Sequence, residues 1–318
     1  MNELTNNPSD NTLVQIARLY YEENKSQQEI ADEIDVSRSL VALYLKRARD
    51  RGIISFQIRN PQDDNEYLER HLSERTNIPR VTIVPTASNS ALTRRLVASA
   101  VARHLENSLQ DGEVLGLGFG RTMHELPSLI APRRTNNISV VPLMGESASS
   151  FSLSYSQINQ VVLQVSQAFA GTPHFLLAPL IVETPELRQM LISDSSVRPV
   201  VELWSKLDHI YIGIGTVPAI EDEVVYVGEE NLNRCAALGA VGDTCTRYFD
   251  ASGNYIKTDL HDRTIGITFD QLRQVKNVNV LTSGAGKADA LSAFIKTGMV
   301  SHLFVDEELA RVMLNKLT

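Results

Sequence analysis

From Val81 onward, short unbroken apolar runs alternate with stretches of helical period. The runs are VTIV (81–84), EVLGLG (113–118), ISVVPL (138–143), HFLLAP (174–179), HIYIGIG (209–215), VNVLTS (278–283) and HLFVD (302–306). The helical stretches cover 91–110, 156–170, 186–193, 197–207, 285–297 and 306–316. A strand that is apolar at every position is buried on both faces, and helices on both sides of a parallel sheet provide that burial. The alternation therefore predicts a doubly wound, mostly parallel α/β domain.

The first fifty residues follow a different rule. TLVQIARLYYEE (12–23) has helical spacing, and Ser26 with Glu29 forms a capping box for a second helix, QQEIADEI. Asp35 and Val36 make a short turn, Ser37 caps a third helix, and Gly52 ends it. Three helices with a tight turn before the third are the helix-turn-helix layout. IISFQI follows as a strand or short wing, and NPQDDNEY (60–67) reads as a linker before an amphipathic stretch at 66–77. The expected organisation is a flexible tail over 1–11, a helix-turn-helix domain over 12–59 and a larger domain over 60–318.

Charge separates the two domains. The 318-residue chain has a net charge of −8, yet residues 37–51 carry Arg38, Lys46, Arg47, Arg49 and Arg51 against the single acid Asp50. An acidic protein is repelled by nucleic acid at long range, but a local cationic helix binds phosphates. The polar start MNELTNNPSDN has no apolar core, and no apolar run reaches membrane-spanning length. A cytoplasmic protein without membrane contact is expected. Cys235 and Cys245 make no disulfide framework, and the seven histidines show no zinc-ligand spacing, so neither metal nor cofactor is expected.

Three stretches bear chemistry. In LGLGFGRTMHEL (115–126) an apolar strand runs into Gly116, Gly118 and Gly120, then Arg121, Thr122 and a helical stretch. In LTSGAGKADALSAFI (281–295) a strand runs into Gly284 and Gly286, then Lys287. Glycines let the backbone approach a ligand closely, and a cation placed against a helix dipole calls for an anion between them. Both turns follow strands of one parallel sheet and so share its C-terminal edge, where such sheets bind ligands. The third stretch, GAVGDTCTRYFDASGNYIKTDLHDRTIGI (239–267), is rich in glycine and aspartate, residues that serve sugar hydroxyls and turns equally.

With these residues in place, the chain from about Leu13 to Leu314 resembles the SorC/DeoR-type sugar-responsive transcriptional regulators of bacteria. The resemblance rests on ARLYYEENKSQQEIADEIDVSRSLVALYLKRARDRGII, LGLGFGRT, VVPLMG, QIN followed by LAPL, YIGIGTV, GAVGDTCTRYFD, HDRTIGI and SGAGKADA, in that order. It implies a helix-turn-helix joined to a domain like the sugar-phosphate isomerases and deaminases, serving as an effector sensor, and a homo-tetramer. Carried over by position, Ser37, Arg38 and Ser39 fall where base edges are read, and Lys46 and Arg47 near the backbone. Gln27 and Tyr44 are counted with them. Gly120, Arg121, Thr122, Gly286 and Lys287 fall on the phosphate-cradling turns, and Asn159, Asp243, Asp262 and Arg263 on the sugar-facing loops. The implied partners are operator DNA and a sugar, polyol or sugar-phosphate effector.

Two departures stand out. Leu40-Val41-Ala42-Leu43 replaces a more polar run on the recognition helix, so operator sequence does not transfer. Glu146 stands where a second glycine is usual; facing the pocket, it would favour hydroxyls over phosphate. The alternative to a regulator is an isomerase- or deaminase-like enzyme fused to a DNA-binding domain. Its Asp-Gly-His loop is replaced here by Thr216-Val217-Pro218, leaving His261 with Asp262 as a displaced pair. The expectation is a regulator and not an enzyme.

Overall fold

A computed structural model describes residues 8–55, 65–132, 137–146, 158–218 and 227–317. The chain forms two compact units, divided between Asp63 and Asp64.

The first unit holds α1 (Asp10–Tyr21), α2 (Gln27–Glu33) and α3 (Arg38–Asp50). Each start is capped as its sequence directs. Ser26 Oγ accepts from Glu29 N at 3.2 Å while Glu29 Oε2 accepts from Ser26 N at 2.8 Å, and Ser37 Oγ accepts from Leu40 N at 3.2 Å. Asp35, with φ 53°, makes the turn into α3, and Gly52, with φ 72°, follows it. α1 begins inside the stretch expected as a tail, because Ser9 Oγ accepts from Thr12 N and supplies a cap. Its Asp10 also pairs with Arg51 at 2.7 Å, tying the start of α1 to the end of α3. The expected strand IISFQI is absent over 53–55, and its remainder lies outside the described residues. Leu13, Ile16, Ile30, Val41, Leu45 and Ala48 form the small core, and Tyr44 joins them at 3% exposure. Tyr44, expected among the DNA-binding residues, is packed into this core.

The second unit opens with α4 (Asn65–Thr76) and is built on a seven-stranded parallel sheet. Its strands are β1 (Arg80–Val84), β2 (Val114–Leu117), β3 (Ser139–Pro142), β4 (Thr172–Pro173), β5 (His209–Ile212), β9 (Asn277–Leu281) and β10 (His302–Asp306). Their order across the sheet is β1-β10-β9-β5-β2-β3-β4, every neighbouring pair parallel. From β2 the chain runs outward through β3 to β4; from β5 it runs the other way through β9 to β10. The reversal lies between β2 and β5, the crevice where open sheets of this kind bind ligands. α5 (Ser90–Ser108) and α7 (Ile158–Ala168) cover one face around Val101, Leu105, Val140, Val162 and Phe304. The other face packs Leu72, Trp204, Leu291, Phe294 and Met313, with Trp204 Nε1 donating to Pro142 O at 2.9 Å. The last helix, Glu307–Lys316, leads directly out of β10 and packs on α4, where Arg75 donates to Leu317 O at 2.8 Å.

Two local expectations fail for identifiable reasons. HFLLAP is not a strand: the short β4 ends at Pro173, just before it, and only Pro179 forms an isolated bridge, to Glu146. Asn159 takes its backbone groups instead: Nδ2 donates to Leu176 O at 3.1 Å, and Oδ1 accepts from Leu176 N at 3.0 Å. Asp243, expected on a loop, lies instead in a strand of the Gly/Asp-rich stretch. The first part of that stretch forms the antiparallel strands β7 (Ala240–Thr244) and β8 (Arg247–Asp250), and β7 also pairs with β6 (Gly215–Thr216), which lies earlier in the chain.

Candidate functional site: a cavity at the sheet's carboxyl edge

A cavity of about 520 Å³ opens at the C-terminal ends of β1, β2, β5, β9 and β10, with the β7–β8 turn as one wall. Its size falls within the range of small-molecule sites. Each wall has a local cause. After β2, Gly118 lets the chain pass close to β5, since a Cβ there would lie 3.3 Å from Tyr211 O. Gly120, at φ 149°, turns the backbone into the short helix α6 (Arg121–Glu125). After β9, Gly284 at φ 93° donates its N–H to Asp306 Oδ1 at 2.7 Å. Lys287 stretches across to donate to Ile214 O, in the loop after β5, at 2.7 Å.

Asp306 ends β10 fully buried and ties two walls together. Besides Gly284 N, it accepts from Thr86 Oγ1 at 2.7 Å, and Thr86 Oγ1 in turn accepts from Glu308 N at 2.8 Å. On the hairpin side, Thr244 Oγ1 donates to Gly213 O at 2.9 Å, and Asp243 Oδ2 accepts from Thr246 N at 3.1 Å. Burial, together with the charge of Asp243, pushes the Cys245 thiol up to about 12, so it stays protonated.

Of the expected effector residues, Gly120, Arg121, Thr122, Asp243, Gly286 and Lys287 all line this one cavity. Asn159, Asp262 and Arg263 do not. Asn159 is used on the Leu176 backbone, as described above. Arg263 reaches Asp259 at 3.3 Å, Asn231 at 3.4 Å and Val182 O at 3.3 Å, and Asp262 beside it is exposed. Glu146 is also outside the lining: its carboxylate accepts from Asn159 N at 3.0 Å, and burial raises its pKa. Its carboxylate is therefore not part of the cavity wall. His261 sits against Arg247 (2.9 Å) and the Tyr255 hydroxyl, with its pKa lowered to about 4 by burial and by the Arg247 charge.

The loop Thr86–Ser90 with Arg94, and the Asp306 latch, were not anticipated from the sequence. Their signal was present: VTIV and HLFVD are strands of the same parallel sheet, so their C-terminal ends reach the same edge. On the helix-turn-helix, Ser37, Arg38, Ser39 and Lys46 are exposed, while Gln27 and Arg47 are half-buried. Among the described residues no cluster of metal-ligating side chains occurs, and no helix is long and apolar enough to cross a membrane.

A capped three-helix unit followed by a doubly wound domain with a cation-lined cavity at its switch point defines an effector-sensing regulator class. Residues 60–315 match the family model described as "Putative sugar-binding domain". The chain belongs to this family and is a SorC/DeoR-type transcriptional regulator. It is 27% identical to the deoxyribonucleoside regulator of Bacillus subtilis over 314 residues, covering 96% of this chain and 97% of the relative. Against the sorbitol operon regulator of Klebsiella pneumoniae it is 24% identical over 310 residues, covering 95% and 97%. The fold matches the crystal structure of full-length SorC from Klebsiella pneumoniae with a TM-score of 0.78 and 22% identity, covering 97% of this chain and 100% of that one.

Proposed function

We propose that the chain is an operator-binding regulator of a carbohydrate-catabolism operon whose cavity takes a sugar, a polyol or a phosphate ester of either. The carrying observation is the convergence of Arg121 and Lys287, from two separate strand-to-helix turns, on one cavity that also holds Asp243 and Thr122. Cations and backbone amides suit an anionic group, while Asp and Thr suit hydroxyls. The relatives' names point to deoxyribonucleosides, sorbitol and erythritol. Binding then acts by differential affinity, with couplings of about 1–3 kcal/mol typical of such linkage. The relatives are named as transcriptional regulators, which supports sensing over deaminase-like catalysis.

DNA recognition is assigned to Ser37, Arg38 and Ser39 at the start of α3, with Lys46, Arg47 and Gln27 on phosphates. A single helix-turn-helix covers little surface, so paired half-sites and a homo-oligomer, a tetramer by family resemblance, complete the reading. Leu177 and Met190, each 71% exposed, are apolar surface that such an assembly would cover. The site of action is the cytoplasm.

The test is a thermal-shift series with deoxyribose, sorbitol and erythritol and their phosphates. A specific ligand at a hundred times its Kd stabilises by about 2.7 kcal/mol. Lys287→Ala raises the Kd of a phosphorylated ligand at least tenfold, roughly the loss of 1.4 kcal/mol, and leaves operator affinity unchanged without ligand. A series in which no compound shifts the wild type overturns the reading. Light scattering that shows only a monomer removes the oligomer.

A further inference from the structure

The β7–β8 turn contains a residue that the fold alone does not account for. Cys245 and Thr246 stand side by side in the left-handed region, at φ 49° and 58°. Turns of this kind favour Asn and Gly. A β-branched residue there is a true outlier, and such strain persists only where something else requires the side chain. Thr246 is also 4% exposed, it lines the cavity, and its Oγ1 is buried without a protein partner among the described residues. A buried hydroxyl without a partner is itself unfavourable, so the position carries two separate costs. Glycine would relieve both.

Resting on the ligand reading above, we propose that Thr246 is a specificity-determining residue whose hydroxyl exchanges a hydrogen bond with a hydroxyl of the bound sugar or polyol. The backbone of Thr246 is held by Asp243 Oδ2 at 3.1 Å, so the residue has a fixed place in the wall. Its methyl and hydroxyl share one carbon, and a χ1 step exchanges their places in the wall. A hydroxyl both donates and accepts, which matches an alcohol better than it matches a phosphate oxygen. Arg121 and Lys287 then select an anionic group, and Thr246 selects the hydroxyl pattern of the carbon chain.

The experiment compares wild type, Thr246→Val, Thr246→Ser and Thr246→Gly in the full chain. Without ligand, Thr246→Val keeps the branched shape and melts at or above the wild-type temperature, and Thr246→Gly melts higher. A melting temperature for Thr246→Val several degrees lower would mean that the hydroxyl has a structural partner, and would overturn the proposal. With deoxyribose phosphate, sorbitol phosphate and erythritol phosphate as probes, calorimetry on whichever binds the wild type shows Thr246→Val weakened about tenfold or more. Thr246→Ser stays within about threefold. Equal affinity for wild type and Thr246→Val overturns this role while leaving the cavity's assignment intact. Failure of every probe to bind the wild type overturns the ligand reading, and this inference with it.

Discussion

Asp306→Asn is the sharpest test of how the cavity is held. The wild-type carboxylate is fully buried and accepts two hydrogen bonds of 2.7 Å, from Gly284 N and Thr86 Oγ1. Both are charge-assisted, worth about 1.5–3 kcal/mol each against about 0.5–1.5 for a neutral bond. In the asparagine variant the amide oxygen must face Gly284, which can only donate. The amide nitrogen then faces Thr86 Oγ1, which already accepts from Glu308 N at 2.8 Å, and the threonine hydrogen loses its acceptor. Two charge-assisted bonds become neutral ones, for a loss of about 2 kcal/mol. In a unit of this size that lowers the melting temperature by about 4–8 °C. Differential scanning calorimetry reads it directly, and Thr86→Val in the same background should add far less than it costs alone, because the two share a bond. A melting temperature for Asp306→Asn within 1 °C of wild type would refute the latch.

Three further outcomes are expected. His302 is 8% exposed, and burial, with His104 and Arg80 nearby, lowers its pKa to about 3. Protonation therefore favours the unfolded chain: its contribution is present above pH 6.5 and is lost as pH falls toward 3, about 2 kcal/mol by pH 5. Denaturant melts at pH 7 and pH 5 show a smaller difference for His302→Leu than for wild type. Gly242→Ala places a Cβ 2.7 Å from Ala290 Cβ and 2.8 Å from Gly215 O, so it destabilises by about 2 kcal/mol or more and weakens ligand binding by shifting Asp243; chemical denaturation and calorimetry check both. Arg38→Ala costs about 1–3 kcal/mol of operator affinity and relaxes one base pair, whereas Lys46→Ala lowers the salt slope by about 1, as mobility shifts across a salt series would reveal.

The legible parts of the fold were those decided within a few residues. Ser26 with Glu29 and Ser37 with Leu40 are contacts three residues apart, and the caps read from the sequence are the caps that form. The strands of the central sheet announce themselves by composition, and their shared direction gathers Gly120, Arg121, Thr122, Gly286 and Lys287 without further information. What escaped was decided at a distance. Asn159 bonds residue 176, and this removes a strand that composition alone supports. Arg263 is drawn to Val182 and Asn231, far along the chain, and does not line the cavity. The β7–β8 hairpin was hidden because its turn uses Cys and Thr where left-handed backbone usually announces itself by Gly or Asn.

The path out of the cavity has a mechanical meaning. Asp306 is both the last residue of β10 and the cap position of the final helix, so that helix starts from the residue that holds the loops after β1 and β9. Its ten residues span about 15 Å, and its far end is grasped by Arg75 on α4, the helix that begins this unit. A rod of that length pivoting by about 5° sweeps its tip by roughly 1.3 Å, enough to part a 2.8 Å hydrogen bond. The loops after β1 and β9 are thus joined through one carboxylate to the final helix, and that helix closes on the one that opens the unit.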